Sequence, residues 1–324
     1  MLIVLIMLHF RTLLALRRGL RPLAVSATAI IVAAGAAGCS SSDSDSAGEA
    51  APKGDCPTAP VQVVVSVDQW GDIVEQLGGD CAEVTTIIKS SSADPHDYEP
   101  TPAAAAEFEV ADLVVVNGLD YDPWADKAVD TLDPAPAVVD GGDVVGLSEG
   151  DDPHIWYGPE YVTQVAAAVT AELQKLSPDA TDHFAEQQTA WQSSMQPYTD
   201  EIAAIAAVSA GTTYGATESV FDYMAVAVGL EDTTPQGYEN AAANESEPAP
   251  ADVLGFQTAL EDSKMSVLIF NTQTEGPAPE QIRTTAESAD VPVVEVTETV
   301  PPGTDSFVEW QVTQLRALAA ALGA

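Results

Sequence analysis

From residue 61 onward, short apolar runs alternate with stretches in which apolar residues recur at helical spacing. The first run reads VQVVVSV at 61–67, and further runs follow at 84–88, 112–116 and 137–139. Each is continuous, rich in valine and isoleucine, and too short for a buried helix, so each predicts a strand. Between them, 69–77, 103–110 and 124–132 carry the 3.6-residue period of helices, the first stopped by Gly78 and Gly79. A further helix is predicted at 159–176. The alternation resumes with strands at 212–217, 266–270 and 292–296, and helices at 221–228, 250–261, 279–288 and 305–322. Strands that alternate with helices predict parallel sheets covered by helices. The polar stretch 231–250 follows neither period and receives no element.

The two series are separated by 177–208, which is helical in character and contains no strand. Ser177-Pro178-Asp179 supplies a cap, a first-turn proline and a first-turn acid. Pro197 lies inside this stretch, where a missing N–H should kink or interrupt a rod. The expected fold is α/β, with two βαβ lobes of parallel sheet at 61–176 and 209–324, joined by a long backbone helix at 177–208. Ligands of open α/β sheets bind beyond the carboxyl ends of the strands, which directs attention to the cleft between the lobes.

The start of the chain differs in kind. Arg11, Arg17, Arg18 and Arg21 are four of the eleven basic residues, and no acid precedes Asp43. The apolar run 23–37 then ends in Ala36-Ala37-Gly38-Cys39. A basic flank, a short apolar run and small residues describe a secretory signal. The run is shorter than the ~20 residues that span a bilayer. Cysteine after Ala-Ala-Gly resembles the lipobox of bacterial lipoproteins, so 1–38 is expected to be a lipoprotein signal and Cys39 the lipidated residue. The stretch 39–60 opens with Ser, Asp, Gly and Ala and reads as a flexible tether. The formal net charge of −39 excludes nucleic acid as a partner, because such binding needs basic patches. An even pair of cysteines in an exported chain, Cys56 and Cys81, predicts a disulfide. Each precedes a strand, so the bond would tie the starts of two neighbouring parallel strands.

Candidate chemistry rests on four histidines, His9, His96, His154 and His183. Two of them follow Asp-Pro, in Asp94-Pro95-His96 and Asp152-Pro153-His154, and both stand near aromatics. Proline stiffens the turn that presents the imidazole, a need of a metal ligand more than of a core residue. In the second lobe, Glu218 and Glu298 directly follow strands. His96, and less clearly His154, fit the strand-end position as well, so His96, His154, Glu218 and Glu298 are expected to form one set of donors facing a shared cleft. Asn117, Glu99 and Asn271 are candidates to orient them.

Asp94-Pro95-His96-Asp97-Tyr98-Glu99-Pro100 resembles the signature of the zinc/manganese-type solute-binding proteins of bacterial ABC importers. Asp152-Pro153-His154-Ile155-Trp156 is similar to their second histidine motif. The block 217–223, with Gly229-Leu230, resembles their third-ligand segment, and 296–300 their fourth, where glutamate replaces the usual aspartate. The resemblance runs from about residue 61 to the C-terminus. It implies two α/β lobes bridged by a rigid helix, and a monomeric receptor rather than an enzyme. That receptor would be lipid-anchored outside the cytoplasmic membrane and would deliver Mn2+ or Zn2+, with Fe2+ also admitted, to a permease and its ATPase. Glutamate at 218 and the lack of histidine in 133–152 tilt the choice toward manganese. The rival readings are a metal-dependent hydrolase or oxygenase, and an adhesin stabilised by metal. No HExxH, P-loop or GxSxG motif supports the enzyme.

Overall fold

In the computed structural model, residues 54–89, 98–244, 246–274 and 276–323 are described. The expected signal, Cys39 and His96 lie outside them. Among the described residues, eight strands make two sheets of four. The first contains β1 (Val61–Val67), β2 (Ala82–Ile88), β3 (Leu113–Val116) and β4 (Ala137–Asp140), in the order β2-β1-β3-β4. The second contains β5 (Thr213–Ala216), β6 (Glu231–Asp232), β7 (Val267–Asn271) and β8 (Val293–Val296), in the order β6-β5-β7-β8. Every pairing is parallel. The central strands β3 and β7 are buried at every residue. Helices cover both faces of such strands, which is why they read as unbroken apolar runs.

The same order in both sheets fixes where a ligand can sit. In each sheet the chain turns from building one side to building the other between the two central strands, β1 and β3 or β5 and β7. The carboxyl ends of those strands flank the crevice of an open α/β sheet. Gln69 follows β1, Asn117 follows β3, Glu218 stands two residues past β5, and Asn271 ends β7.

The first-lobe helices are α1 (Asp68–Gly78), α2 (Pro102–Glu109), α3 (Pro123–Val129), α4 (Gly141–Val145) and α5 (Pro159–Leu176). Helix α1 buries Trp70, Ile73, Val74 and Leu77, the i, i+3, i+4, i+7 stripe that the sequence displays. Full burial of each such side chain stabilises the fold by roughly 1.5–3 kcal/mol. Helix α2 starts where the Thr101 hydroxyl accepts the Ala104 N–H at 3.2 Å, with Pro102 in the first turn. Cys56 and Cys81 are joined by a disulfide, with Cα atoms 5.1 Å apart. They stand just before β1 and β2, whose first residues Val61 and Ala82 are register partners.

The connecting stretch is two α-helices, α6 (Thr181–Ser194) and α7 (Gln196–Ser209), preceded by a 3-10 turn at Pro178–Ala180. Met195 separates them with near-helical dihedrals, φ −74 and ψ −6. Pro197 sits in the first turn of α7, where its missing N–H costs least. Ser177 does not cap this helix. Its hydroxyl instead meets that of Thr58 at 2.9 Å.

The second lobe adds α8 (Asp222–Val228), α9 (Gln236–Ala242), α10 (Pro250–Glu261), α11 (Pro277–Ser288) and α12 (Phe307–Leu322). The stretch 231–250, left without elements above, contains β6 and α9. Its strand is two exposed acids and its helix buries one residue, Tyr238, so neither leaves a hydrophobic period. Helix α12 returns across the molecule: the Phe307 N–H donates to Asp72 at 2.8 Å, and Arg316 pairs with Glu201 of α7 at 2.8 Å. A single buried apolar cluster runs through both lobes and includes Tyr157, Phe221 and Trp310. The Tyr157 ring packs edge-on against the other two at centroid distances of 5.4 and 5.8 Å. Among the described residues no helix is long and apolar enough to cross a membrane.

Candidate metal centre

The first lobe contributes His154 from the loop before α5. Asn117, fully buried at the end of β3, donates its side-chain N–H to the Pro153 carbonyl at 2.9 Å and accepts from the Trp70 indole at 3.1 Å. The Asp-Pro-His turn is therefore pinned to the sheet. His154 is 9% exposed, and its imidazole packs edge-on against both the Tyr121 and Trp156 rings, with centroids at 6.3 and 5.3 Å. Asp152 Oδ1 accepts from the His154 backbone N–H at 3.2 Å and from ring Nδ1 at 2.5 Å. A carboxylate only accepts, so Nδ1 carries the proton and Nε2 is left with its lone pair for a metal. Burial lowers the pKa of this histidine, but Asp152, Glu298 and Glu218 together outweigh it and leave the pKa raised.

The second lobe contributes two carboxylates. Glu218 follows Thr217, whose hydroxyl accepts the Asn271 N–H at 3.1 Å. The Asn271 side chain in turn donates to Glu218 Oε2. Burial pushes the Glu218 pKa up, and the charge of Glu298 adds to the rise, while the Asn271 hydrogen bond and His154 act against it. Glu298 lies just past β8. Its Oε1 accepts from the Tyr121 hydroxyl at 2.8 Å, and its backbone carbonyl accepts from Gln69 Nε2 at 3.2 Å. Tyr121 and Gln69 both belong to the first lobe.

Three of the four expected donors are neighbours: the charges of Glu298 and Glu218 push the His154 pKa up, and the charge of Glu298 pushes that of Glu218 up. Among the described residues, no group of three metal-ligating side chains is gathered around one point. His96 lies outside those residues, and Glu99, beside its loop, is exposed. Asn117 touches the second histidine turn, and Asn271 holds Glu218. Sequence reading missed Asp152 as the histidine's partner, although it stands in the Asp-Pro-His motif itself. It also missed Gln69 and Tyr121, which carry no motif and reach Glu298 only through the fold. Ser219 adds a weaker contact between lobes, its hydroxyl 3.4 Å from Asp152 Oδ1, and Tyr223 donates to the Asp152 carbonyl at 2.8 Å.

A donor set of one imidazole nitrogen and two carboxylates, without thiolate, suits a divalent first-row ion. Comparisons with known proteins agree. The family model of ZnuA, the zinc-uptake complex component A, periplasmic, matches residues 63–321. The manganese-binding lipoprotein MntA of Halalkalibacterium halodurans is 27% identical over 165 residues, which is 48% of this chain and 50% of that protein. The high-affinity zinc uptake system protein ZnuA of Bacillus subtilis is 24% identical over 247 residues, 70% of this chain and 75% of its own length. The zinc-binding lipoprotein AdcA of Streptococcus pneumoniae is matched over 42% of its length, so the chain spans only part of several relatives. Among solved structures, FpvC of Pseudomonas aeruginosa in complex with Ni2+ has a TM-score of 0.68 at 19% identity, covering 82% of this chain and 97% of that one. That likeness shows the same two-lobed fold. Because the family model covers nearly all of both sheets, the connecting helices and the three described candidate donors, the chain belongs to the family of the periplasmic component A of zinc-uptake complexes.

Proposed function

We propose that this protein captures a divalent transition metal, Mn2+ or Zn2+, outside the cytoplasm and passes it to an ABC permease and its ATPase. The observation that carries this reading is the polar seam between the lobes, where Tyr121 of the first donates to Glu298 of the second and the His154 ring packs edge-on against Tyr121. His96, from the matching Asp-Pro-His motif after β2, completes the set with His154, Glu218 and Glu298. Two carboxylates neutralise the ion and two imidazoles supply nitrogen, while the lobes exclude water. Relatives named for manganese, zinc and iron support a metal cargo and leave its identity open. A lipid on Cys39 would tether the receptor, and membrane fractionation of the Cys39→Ala variant decides that part.

The test is metal-dependent thermal stabilisation. A ligand that binds only the folded state stabilises it by about 2.7 kcal/mol at a hundredfold excess over Kd. His96→Ala, His154→Ala, Glu218→Ala and Glu298→Ala should each lose most of that increment. His183→Ala should keep it, since His183 Nε2 lies 3.1 Å from the Gly78 carbonyl, away from the donors. Full retention of the increment in the His154 and Glu218 variants would refute the proposed site.

A further inference from the structure

Tyr121 stands on an unusual piece of backbone. Gly118, Leu119 and Asp120 all have left-handed dihedrals, with φ of 74, 60 and 62. Only glycine adopts this conformation without cost, and two consecutive ordinary residues in it are held there by their surroundings. Asp122 does the holding: its carboxylate accepts the N–H groups of Asn117 at 2.7 Å and Gly118 at 2.9 Å, and the Ser66 hydroxyl at 2.5 Å. A side chain at position 118 would collide with Asp140, whose Oδ1 lies 2.2 Å from where its Cβ would stand. The strained turn delivers a fully buried phenol across the lobe boundary to Glu298 Oε1 at 2.8 Å. Gln69, also fully buried, fixes that phenol from behind, donating to its oxygen at 2.8 Å. Since the phenol oxygen accepts from Gln69, its own proton points to Glu298.

From this geometry we infer that Tyr121, with Gln69 behind it, is a specificity-determining positioning residue that biases Glu298 toward binding the metal through one oxygen. The inference rests on the ligand role proposed above for Glu298. A carboxylate whose Oε1 already accepts a phenol proton has one lone pair of that oxygen occupied and offers Oε2 more readily. Carboxylates that bind through both oxygens raise the coordination number, which suits larger, oxygen-preferring ions such as Mn2+, whereas Zn2+ is content with four donors in a tetrahedron. The Tyr121–Gln69 pair therefore favours low coordination, and so favours Zn2+ relative to Mn2+.

The experiment compares Mn2+ and Zn2+ dissociation constants of the whole protein by competition titration at one pH, for wild type, Tyr121→Phe, Gln69→Met and Glu298→Ala. In Tyr121→Phe the ratio Kd(Zn)/Kd(Mn) should rise about tenfold, the size expected of one hydrogen bond to a charged group. Gln69→Met should move it less, in the same direction. The Co2+ form should lose visible absorption in Tyr121→Phe, since a tetrahedral ion absorbs more strongly than one with more ligands. A uniform weakening of both metals, or an unchanged ratio and spectrum, would overturn the inference while leaving Glu298 a ligand if Glu298→Ala abolishes binding. Unaltered binding by Glu298→Ala would instead remove the ligand role, and the inference with it.

Discussion

In the first lobe the described donor is a ring wedged among rings. His154 packs edge-on against Tyr121 and Trp156, and Asp152, two residues before it, sets its tautomer. In the second lobe the candidate donors are carboxylates at the ends of strands, each held by a polar group from elsewhere. Asn271 holds Glu218 from the neighbouring strand, and Tyr121 holds Glu298 from the other lobe. The strand order is the same in both sheets, so topology is not the source of the difference. Its source is charge. A neutral imidazole tolerates a close-packed aromatic pocket, whereas a buried carboxylate requires hydrogen-bond donors. Two such carboxylates also repel, as the upward push of Glu298 on Glu218 shows.

The sharpest way to separate the lobes is the disulfide, which belongs to the first alone. Closing a loop of 25 residues contributes roughly 3 kcal/mol on the chain-entropy model. Cys56→Ser with Cys81→Ser should lower denaturant stability by about that amount and leave metal affinity nearly unchanged. A comparable loss of affinity would mean that the bond shapes the site as well as the sheet. Next in size is the asparagine pair. Asn271→Ala removes the group that orients Glu218, so metal affinity should fall about 10–100-fold by titration. Asn117→Ala loosens the histidine turn and should cost stability too, because Trp70 and Pro153 both lose a buried partner. An Asn271→Ala protein with unchanged affinity would show that the second-lobe donor orients itself.

How the two lobes respond to pH is the smallest effect and the finest distinction. Burial raises Asp122 and Asp126 in the first lobe to about 6, and Asp222 in the second to about 7. Each keeps its proton in the folded chain where the unfolded chain, with carboxyl pKa near 3.9, has lost it. Folding therefore takes up protons between about pH 4 and pH 7, and stability falls as pH rises through that window before levelling off. The metal-free protein should melt a few degrees higher near pH 5.5 than near pH 8. The increment added by metal should move oppositely, since protons compete for His154 and Glu218, both raised. Thermal scans with and without metal give both slopes. A metal-free melting temperature that drops on mild acidification would contradict the assignment.

Much of this architecture is written in local patterns. The valine runs of β1, β3 and β7 and the stripe of α1 can be read directly, because burial on both faces or on one face leaves a period. The short elements cannot. Helix α4 is five residues that start with two glycines, and it forms because the Asp140 side chain accepts the Asp143 N–H at 3.0 Å. The candidate donors His154, Glu218 and Glu298 stand out in the sequence because a repeated tripeptide and strand ends announce themselves. Tyr121 and Gln69 do not, for a simple reason. Their role depends on a residue 177 or more positions away, and no local pattern records such a distance.

The edges of the two sheets have a consequence of their own. A bare strand edge is a template on which another chain can lay a strand. Strand β6, an outer strand of the second sheet, is over after two residues, and both are exposed acids, Glu231 and Asp232. The opposite edge, β8, presents Glu295 to solvent, tied to Arg283 at 2.6 Å. In the first sheet, the outer strand β2 exposes Glu83. A copy approaching β2, β6 or β8 edge to edge meets its own acidic side chains, and on the β6 side it also finds too little strand to grip. Three of the four sheet edges are thus guarded against strand addition while the valine-rich strands stay inside.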